Sequence, residues 1–321
     1  MIKTANSKTI AEAAAILRDG GLVGIPTETV YGLAADATQG AAVARIFEAK
    51  GRPGFNPLII HVCGIEQAGE YVEVNELARA AAHHFWPGPL TMILPKKAGC
   101  SISELASAGL ETLAVRAPSH PVARDLIREV GVPLAAPSAN KSGTLSPTTA
   151  AHVQNSLGDQ VDMILAAGAC KIGLESSVLD LRGEAPLVLR PGGITAEEIE
   201  DVLGCDVKYA SGDPDAPKSP GQLLKHYAPC AKLRLNAIDV DEGEALLAFG
   251  ATKFMVPSDF PEHRLRNLSE TKDLFEAAAN LFAMLQALDQ SGVKSIAVMN
   301  IPETGIGIAI NDRLRRAAQK D

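Results

Sequence analysis

The sequence predicts an α/β fold in two units joined by a proline-rich connection. Short aliphatic runs alternate with stretches of helical period as far as residue 208. Residues 210–230 then break that alternation, and a second, shorter alternation follows to the C terminus. A chain of 321 residues also has the length for two cores rather than one.

Taken in order, GLVGI (21–25), PLIIHV (57–62), LTMIL (90–94), TLAVR (112–116), PLAAPS (133–138), SSVLDL (176–181) and PLVLR (186–190) read as strands. Their length and aliphatic content suit strands buried on at least one face. Between them, residues 8–19 place Ile10, Ala13, Ala14 and Leu17 on one side of a helix. Residues 40–50, 75–85, 120–130 and 147–157 follow the same period, with Pro121 and Pro147 near helix starts, where proline is tolerated. The connection, ASGDPDAPKSPGQLLKHYAPC, carries four prolines and two glycines without apolar periodicity. Beyond it the expected order is strand (232–237), helix (241–249), strand (254–257), long helix (271–290), strand (294–301) and helix (311–319).

Bulk properties narrow the function classes. A net charge of −8 with 4% aromatic residues argues against a broad nucleic-acid-binding coat, although a local cationic groove is compatible with it. The N-terminal stretch has no apolar signal core, and no run approaches the ~18 apolar residues of a membrane span. The expectation is a soluble, cytoplasmic protein. Cys63, Cys100, Cys170, Cys205 and Cys230 are scattered and never paired as C-x-x-C, so they are expected to be reduced thiols and not a zinc site or disulfide framework.

Three blocks carry chemistry. Pro26-Thr27-Glu28-Thr29-Val30-Tyr31-Gly32-Leu33 leaves a buried strand and sets hydroxyls and a carboxylate at a strand end, where α/β folds bind ligands. Lys50-Gly51-Arg52-Pro53-Gly54-Phe55-Asn56-Pro57-Leu58 puts two cations on a stiffened loop before the strand that ends in His61. Arginine offers phosphate a planar fork and lysine a point charge. Pro137-Ser138-Ala139-Asn140-Lys141-Ser142-Gly143, continuing to Ser146-Pro147-Thr148-Thr149, ends a strand in small polar groups before a helix, a pattern suited to anions. Taken singly, each block also suits an ordinary turn, a solvated loop or a core histidine. Glu175-Ser176-Ser177 lacks the serine-hydrolase elbow, adjacent His83 and His84 diverge on a helix, and Gly305-Ile306-Gly307 lacks the third glycine of a dinucleotide fingerprint.

In this order the blocks, with FWPGPLT (85–91), LAVRAPSHP (113–121) and LRPGGIT (189–195), resemble the YrdC-like family of threonylcarbamoyl-AMP synthases in its longer, two-domain form. The resemblance implies an N-terminal YrdC-like twisted-sheet domain (1–208), a linker or lid (209–230) and a smaller C-terminal Rossmann-like α/β domain (231–321). It implies that L-threonine, bicarbonate (as CO2) and ATP give threonylcarbamoyl-AMP and pyrophosphate, for modification of adenosine 37 in tRNA. By position, Thr29, His61, Arg116, Ser176 and the backbone at Ala136 match threonine contacts. Arg52, Asn56, Thr112, Ser138, Asn140, Ser146, Arg190 and Tyr227 match ATP contacts. Lys50 and Arg52 are expected to act electrostatically on the phosphates, Mg2+ to ride on the ATP, and His61 to stand as a candidate base. Ser177 replaces the family's commoner threonine, and QLLKHYAP departs from its usual linker motif upstream of Lys225. Two other readings are a double-stranded RNA or tRNA binder without chemistry, and a different ATP-dependent carbamoyl or acyl transferase. The acidic total favours a small-molecule site.

Overall fold

The computed structural model describes residues 1–183, 185–210, 227–253 and 255–319. Among these, the larger sheet comprises β1 (Ile2–Thr4), β2 (Val23–Ile25), β3 (Gly32–Asp36), β4 (Ile59–His61), β5 (Leu90–Pro95), β6 (Thr112–Arg116), β7 (Leu134–Ala135), β8 (Met163–Ala166), β9 (Ser177–Asp180), β10 (Leu187–Arg190) and β11 (Lys208–Tyr209). They lie in the order β1-β8-β2-β3-β7-β4-β6-β5-β9-β10-β11. The sheet is mixed: β4 runs parallel to β6, with His61 opposite Arg116, while β7 runs antiparallel to β3 and β4.

Helices α1 (Ser7–Arg18), α2 (Gly40–Lys50), α3 (Ile65–Tyr71), α4 (Glu76–Phe85), α5 (Glu104–Ser107), α6 (Pro121–Val130), α7 (Ala150–Leu157) and α8 (Ala196–Leu203) pack around this sheet. Helix α1 is closed by a capping box at Asn6 and α6 opens on Pro121, whose fixed φ suits a first helical turn. Side chains alternate across β6. Leu113 and Val115 enter one core with Ile46, Ile60 and Leu94, and Ala114 points the other way into an apolar patch with Ile59, Ile93, Val178 and Leu189. By the same period of two, Thr112, Ala114 and Arg116 share a face. Farther along the sheet, Leu17 of α1 and Leu126 of α6 cover Val23 and Ile25 in a separate core.

The second sheet has β12 (Lys232–Ala237), β13 (Ala245–Ala248), β14 (Leu265–Asn267) and β15 (Ser295–Met299), all paired in parallel as β12-β15-β13-β14, with α9 (Leu274–Gln290) and α10 (Gly307–Ala318). Its core is not self-contained. Val30, Leu145 and Leu174 from the N-terminal part pack with Leu281, Phe282 and Leu314.

Several expected elements need correction. Residues 245–248 form a buried strand where a helix over 241–249 was expected. A continuous apolar run such as Ala245-Leu246-Leu247-Ala248 fits a short buried strand or a helix equally, so its periodicity does not discriminate. The expected strand at 254–257 is absent over its described residues 255–257, and β14 supplies the pairing partner instead. Helix α7 begins at Ala150 and not at Pro147, because Thr149 caps it. Helices α3, α5 and α8 and strands β1, β3, β8 and β11 were not anticipated; β3 is disguised by its glycine and alanines.

Gly173 marks where the two parts touch. Its φ is +73°, and a Cβ there would sit 2.5 Å from the Ala279 carbonyl oxygen of α9. Gly173→Ala should therefore destabilise the protein by about 2 kcal/mol or more, through left-handed strain plus collision with backbone that cannot yield. Thermal or urea unfolding checks this; an unchanged melting temperature would show that α9 is free to shift.

Candidate active site

A cavity opens at the C-terminal ends of β4 and β6, lined by Thr29, Arg52, His61, Arg116, Ala136, Ser138, Ser176, Arg190 and Tyr227 among others. These nine belong to the residues singled out in the sequence, and the fold gathers them from eight separate segments. Placement follows from strand ends: the register that sets His61 opposite Arg116 brings both side chains to one edge. Ser176 precedes β9, and Arg190 closes β10 after a register shift.

The basic groups are buried and tied down. Arg116 donates from Nη2 to Glu28 Oε1 at 2.6 Å and to Thr29 Oγ1 at 2.9 Å, and from Nε to the Gly88 carbonyl at 3.3 Å. Burial alone would raise the Glu28 carboxyl, but the Arg116 guanidinium prevails and holds it below its usual value. Arg52 donates to the Asn56 and Pro57 carbonyls at 3.2 and 2.9 Å. Burial pulls its pKa down to about 10, which leaves it a cation at neutral pH. Arg190 donates to the Ser176 carbonyl at 2.9 Å and to its hydroxyl at 3.2 Å. The loop after β10 lies so close that a Cβ on Gly192 would stand 2.4 Å from the Glu175 carbonyl oxygen.

His61 is buried, and its Nδ1 lies 3.2 Å from the Ile59 carbonyl oxygen. A carbonyl only accepts, so Nδ1 carries the proton and Nε2 is the acceptor. Burial, reinforced by the charge of Arg116, pushes the imidazole down to about 3. The ring is therefore neutral at physiological pH and too weakly basic for the general-base role considered from sequence.

Five expected site residues do not line the cavity. Lys50 turns away from it: its ammonium donates to the Ser138 carbonyl at 2.6 Å and to that of Asn140, bracing the serine–asparagine turn instead of facing ligand. Asn140 lies inside that turn, its amide donating to the Lys141 and Thr144 carbonyls. Ser146 stands behind the wall, donating to Glu175 at 2.5 Å. Thr112 shares the face of Arg116 but sits at the far end of β6, roughly 13 Å away at the usual rise per residue. Asn56 is 1% exposed, and neither its Nδ2 nor its Oδ1 has a partner among the described residues.

Two carboxylates went unassigned in the sequence. Glu28 was visible within its motif but had no role until Arg116 was placed beside it. Glu175 lines the cavity and pairs with Arg313, 138 residues away, a partnership no local pattern signals. Most of the expected lid, residues 211–226 including His226, lies outside the described residues. At its end Tyr227 is buried, and the Ala228 N–H donates to the Gly143 carbonyl at 2.8 Å. Among the described residues there is no group of three or more His, Cys, Asp or Glu side chains able to hold a metal. The five cysteines are free thiols, and no helix among the described residues is long and apolar enough to cross a membrane.

Comparison with known proteins gives a consistent result. A family model described as telomere recombination (Sua5, YciO, YrdC) matches residues 15–192, and one described as the threonylcarbamoyl-AMP synthase C-terminal domain matches residues 194–319. The threonylcarbamoyl-AMP synthase of Bacillus subtilis is 41% identical over 98% of this chain and 94% of its own length. That of Schizosaccharomyces pombe is 38% identical over 96% of this chain and 88% of its own. The crystal structure of Pyrococcus abyssi Sua5 complexed with L-threonine matches with a TM-score of 0.89 at 38% identity, covering 99% of this chain and 96% of that one.

The imidazole of His61 should leave a signature in acid. Its pKa is about 3 when folded against an ordinary 6.5, so below pH 6.5 the unfolded chain binds a proton that the folded chain refuses. Stability contributed by the neutral ring is complete above pH 6.5 and falls, by up to ~1.4 kcal/mol per pH unit, as pH drops toward 3. Urea unfolding between pH 7 and 4.5 should show a shallower loss for His61→Gln than for wild type. Parallel curves would mean that His61 titrates alike in the folded and unfolded chain.

Proposed function

The chain belongs to the two-domain Sua5 family of threonylcarbamoyl-AMP synthases, and on that premise we propose that it makes threonylcarbamoyl-AMP and pyrophosphate from L-threonine, bicarbonate and ATP. The product would serve threonylcarbamoylation of adenosine 37 in tRNA, in the cytoplasm. Residues 1–208 are taken as the catalytic domain, 209–230 as the connection and 231–321 as the C-terminal domain. The observation that carries the reading is the convergence of three buried guanidinium groups, Arg52, Arg116 and Arg190, with a neutral histidine and several hydroxyls on one cavity.

The cavity divides by chemistry. At one end Arg116, Thr29, His61, Ser176 and the Ala136 backbone suit an amino acid. The guanidinium takes the carboxylate, while the hydroxyls and the unprotonated Nε2 of His61 suit the amine and hydroxyl of threonine. Toward Arg52, Ser138 and Arg190 the cavity suits phosphates. The apolar patch of Ile59, Ala114 and Leu189 leads on toward Thr112, a surface on which a purine can lie. Mg2+ would arrive on the triphosphate as part of the substrate, since Glu175 in the cavity wall and Glu28 behind it are each already paired with arginine.

The reaction asks for little covalent help. Threonine's amine adds CO2 to give a carbamate, a carbamate oxygen attacks the α-phosphorus, and the bond to the β-phosphate oxygen breaks to release pyrophosphate. Carbamate and phosphate are both anions, so the chain's contribution is to hold fixed positive charge where they meet and to exclude water. Lys50 acts one step back by holding the Ser138–Asn140 turn in place.

Incubation with ATP, bicarbonate and single amino acids, followed by pyrophosphate, tests the whole reading: release should depend on threonine. Release with every amino acid, or with none, would sink it. Arg116→Lys should raise the threonine KM roughly tenfold or more, the worth of one charged hydrogen bond, while ATP affinity stays near wild type. Equal loss for both substrates would count against the division of the cavity. Asn56→Ala should weaken ATP binding yet leave the ligand-free melting temperature unchanged or higher, because it removes a buried amide that costs about 1–3 kcal/mol while unpaired.

A further inference from the structure

Glu175 and Arg313 come from different parts of the chain and meet in the interior. Glu175 sits two residues before β9 and lines the cavity, while Arg313 is on α10 of the second unit and is 1% exposed. Arg313 donates from Nε to Glu175 Oε2 at 2.8 Å and from Nη1 to Asp312 Oδ2 at 2.7 Å. Its guanidinium carbon lies 5.3 Å from the centroid of the Tyr227 ring. Glu175 Oε1 accepts from Ser146, and Tyr227 packs against Phe282 of α9 at 5.5 Å between ring centroids. One side chain of the C-terminal unit thus grips both a carboxylate and an aromatic ring that line the cavity, without lining it itself.

A carboxylate in the wall of a site for a triphosphate is a liability, because a buried negative charge repels the ligand across a medium of low dielectric constant. Burial by itself would push Glu175 toward its neutral form. Arg313, aided by Arg190, instead holds it ionised, with a pKa of about 2. Its charge is therefore cancelled in place. Without Arg313, the basic group nearest at hand would be Arg190, which bonds to the adjacent Ser176. Glu175 would then act directly on a cation that the phosphates need.

We propose that Arg313 is a positioning residue of the nucleotide site: from the C-terminal unit it neutralises Glu175 and braces Tyr227, so that the wall stays cationic toward phosphate. The proposal rests on reading the cavity as the ATP site. It assigns the second unit a part in nucleotide binding, exerted through Glu175 and Tyr227.

The test is a double-mutant cycle in the full chain, with ATP and threonine affinities measured separately by calorimetry and folding followed by thermal melting. Arg313→Met should weaken ATP binding about tenfold or more, as expected when one partner of a buried charge pair is removed. Threonine binding should stay close to wild type. Arg313→Lys should recover part of the loss. Adding Glu175→Gln to Arg313→Met should restore most of the ATP affinity, since no stranded carboxylate remains. Arg313→Met binding ATP like wild type, or a folded double variant no better than the single one, would overturn the proposal. If Arg313→Met fails to fold, the folded double variant decides: near-wild-type affinity supports the charge argument, and weak affinity refutes it. A wild-type chain that binds threonine but not ATP would overturn the reading of the cavity, and this inference with it.

Discussion

Lys50, Arg52, Arg116 and Arg190 are each 9% exposed or less, and all four stand around or just behind one cavity. Removing charges from water is expensive, and placing like charges together adds repulsion, so such a cluster persists only if every member is held by oxygen acceptors. The fold supplies them largely from backbone: carbonyls of Asn56 and Pro57 for Arg52, of Ser138 and Asn140 for Lys50, of Gly88 for Arg116, and of Ser176 for Arg190. Carbonyls solvate Arg52 and Arg190 without cancelling their charge, which leaves that side of the cavity attractive to an anion, whereas Arg116 is also paired with Glu28. The loops that lead into β4, β5 and β9, and the one that follows β7, can be understood as the shells of these four groups.

The same constraint restricts acidic residues. Glu175 in the cavity wall and Glu28 behind Arg116 are tolerated because each is matched to one arginine. Arg116, the partner of Glu28, lies within the same sheet. Arg313, the partner of Glu175, comes from α10, so the charge balance of the site extends beyond the large sheet. The shared core follows the same line: Val30 and Leu174 flank the site motifs and pack against α9 and α10 residues together with Tyr227. The Gln286 amide of α9 donates to the Ser146 carbonyl at 3.1 Å. The C-terminal unit is therefore joined to the segments that line or back the cavity and not to a remote face.

Neutral groups divide the remaining work. His61 keeps an uncharged ring in a cationic setting because burial and Arg116 both oppose its protonation. A second positive charge at that point would compete with Arg116 for carboxylate, while a neutral acceptor can meet an amine or hydroxyl. The amide of Asn56 is the complementary case, a buried polar side chain with no partner among the described residues, on the loop whose carbonyls hold Arg52.

Much of this was legible in the sequence. Strands such as Thr112–Arg116 and Lys232–Ala237, and helices such as Gly40–Lys50, were readable because periodicity and end signals are local properties. So were the motif residues, since loops that follow buried strands carry polar side chains for few reasons other than turns or ligands. Local pattern could not settle Ala245–Ala248, where a short apolar run obeys either period, nor β3, whose Gly and Ala leave no β-branched signal. Nor could it decide direction. Lys50 and Arg52 are two residues apart, yet one braces a turn through carbonyls 88 and 90 residues away while the other faces the cavity. Which way a side chain points depends on oxygen atoms brought near by the fold, and the pairing of Glu175 with Arg313 exists only once both units are packed. The sequence by itself determined which chemical groups this protein has and the order in which they occur. The tertiary structure decided which of them are neutralised, which are held and which remain for a ligand, because those properties depend on distance through a low-dielectric interior and not on separation along the chain.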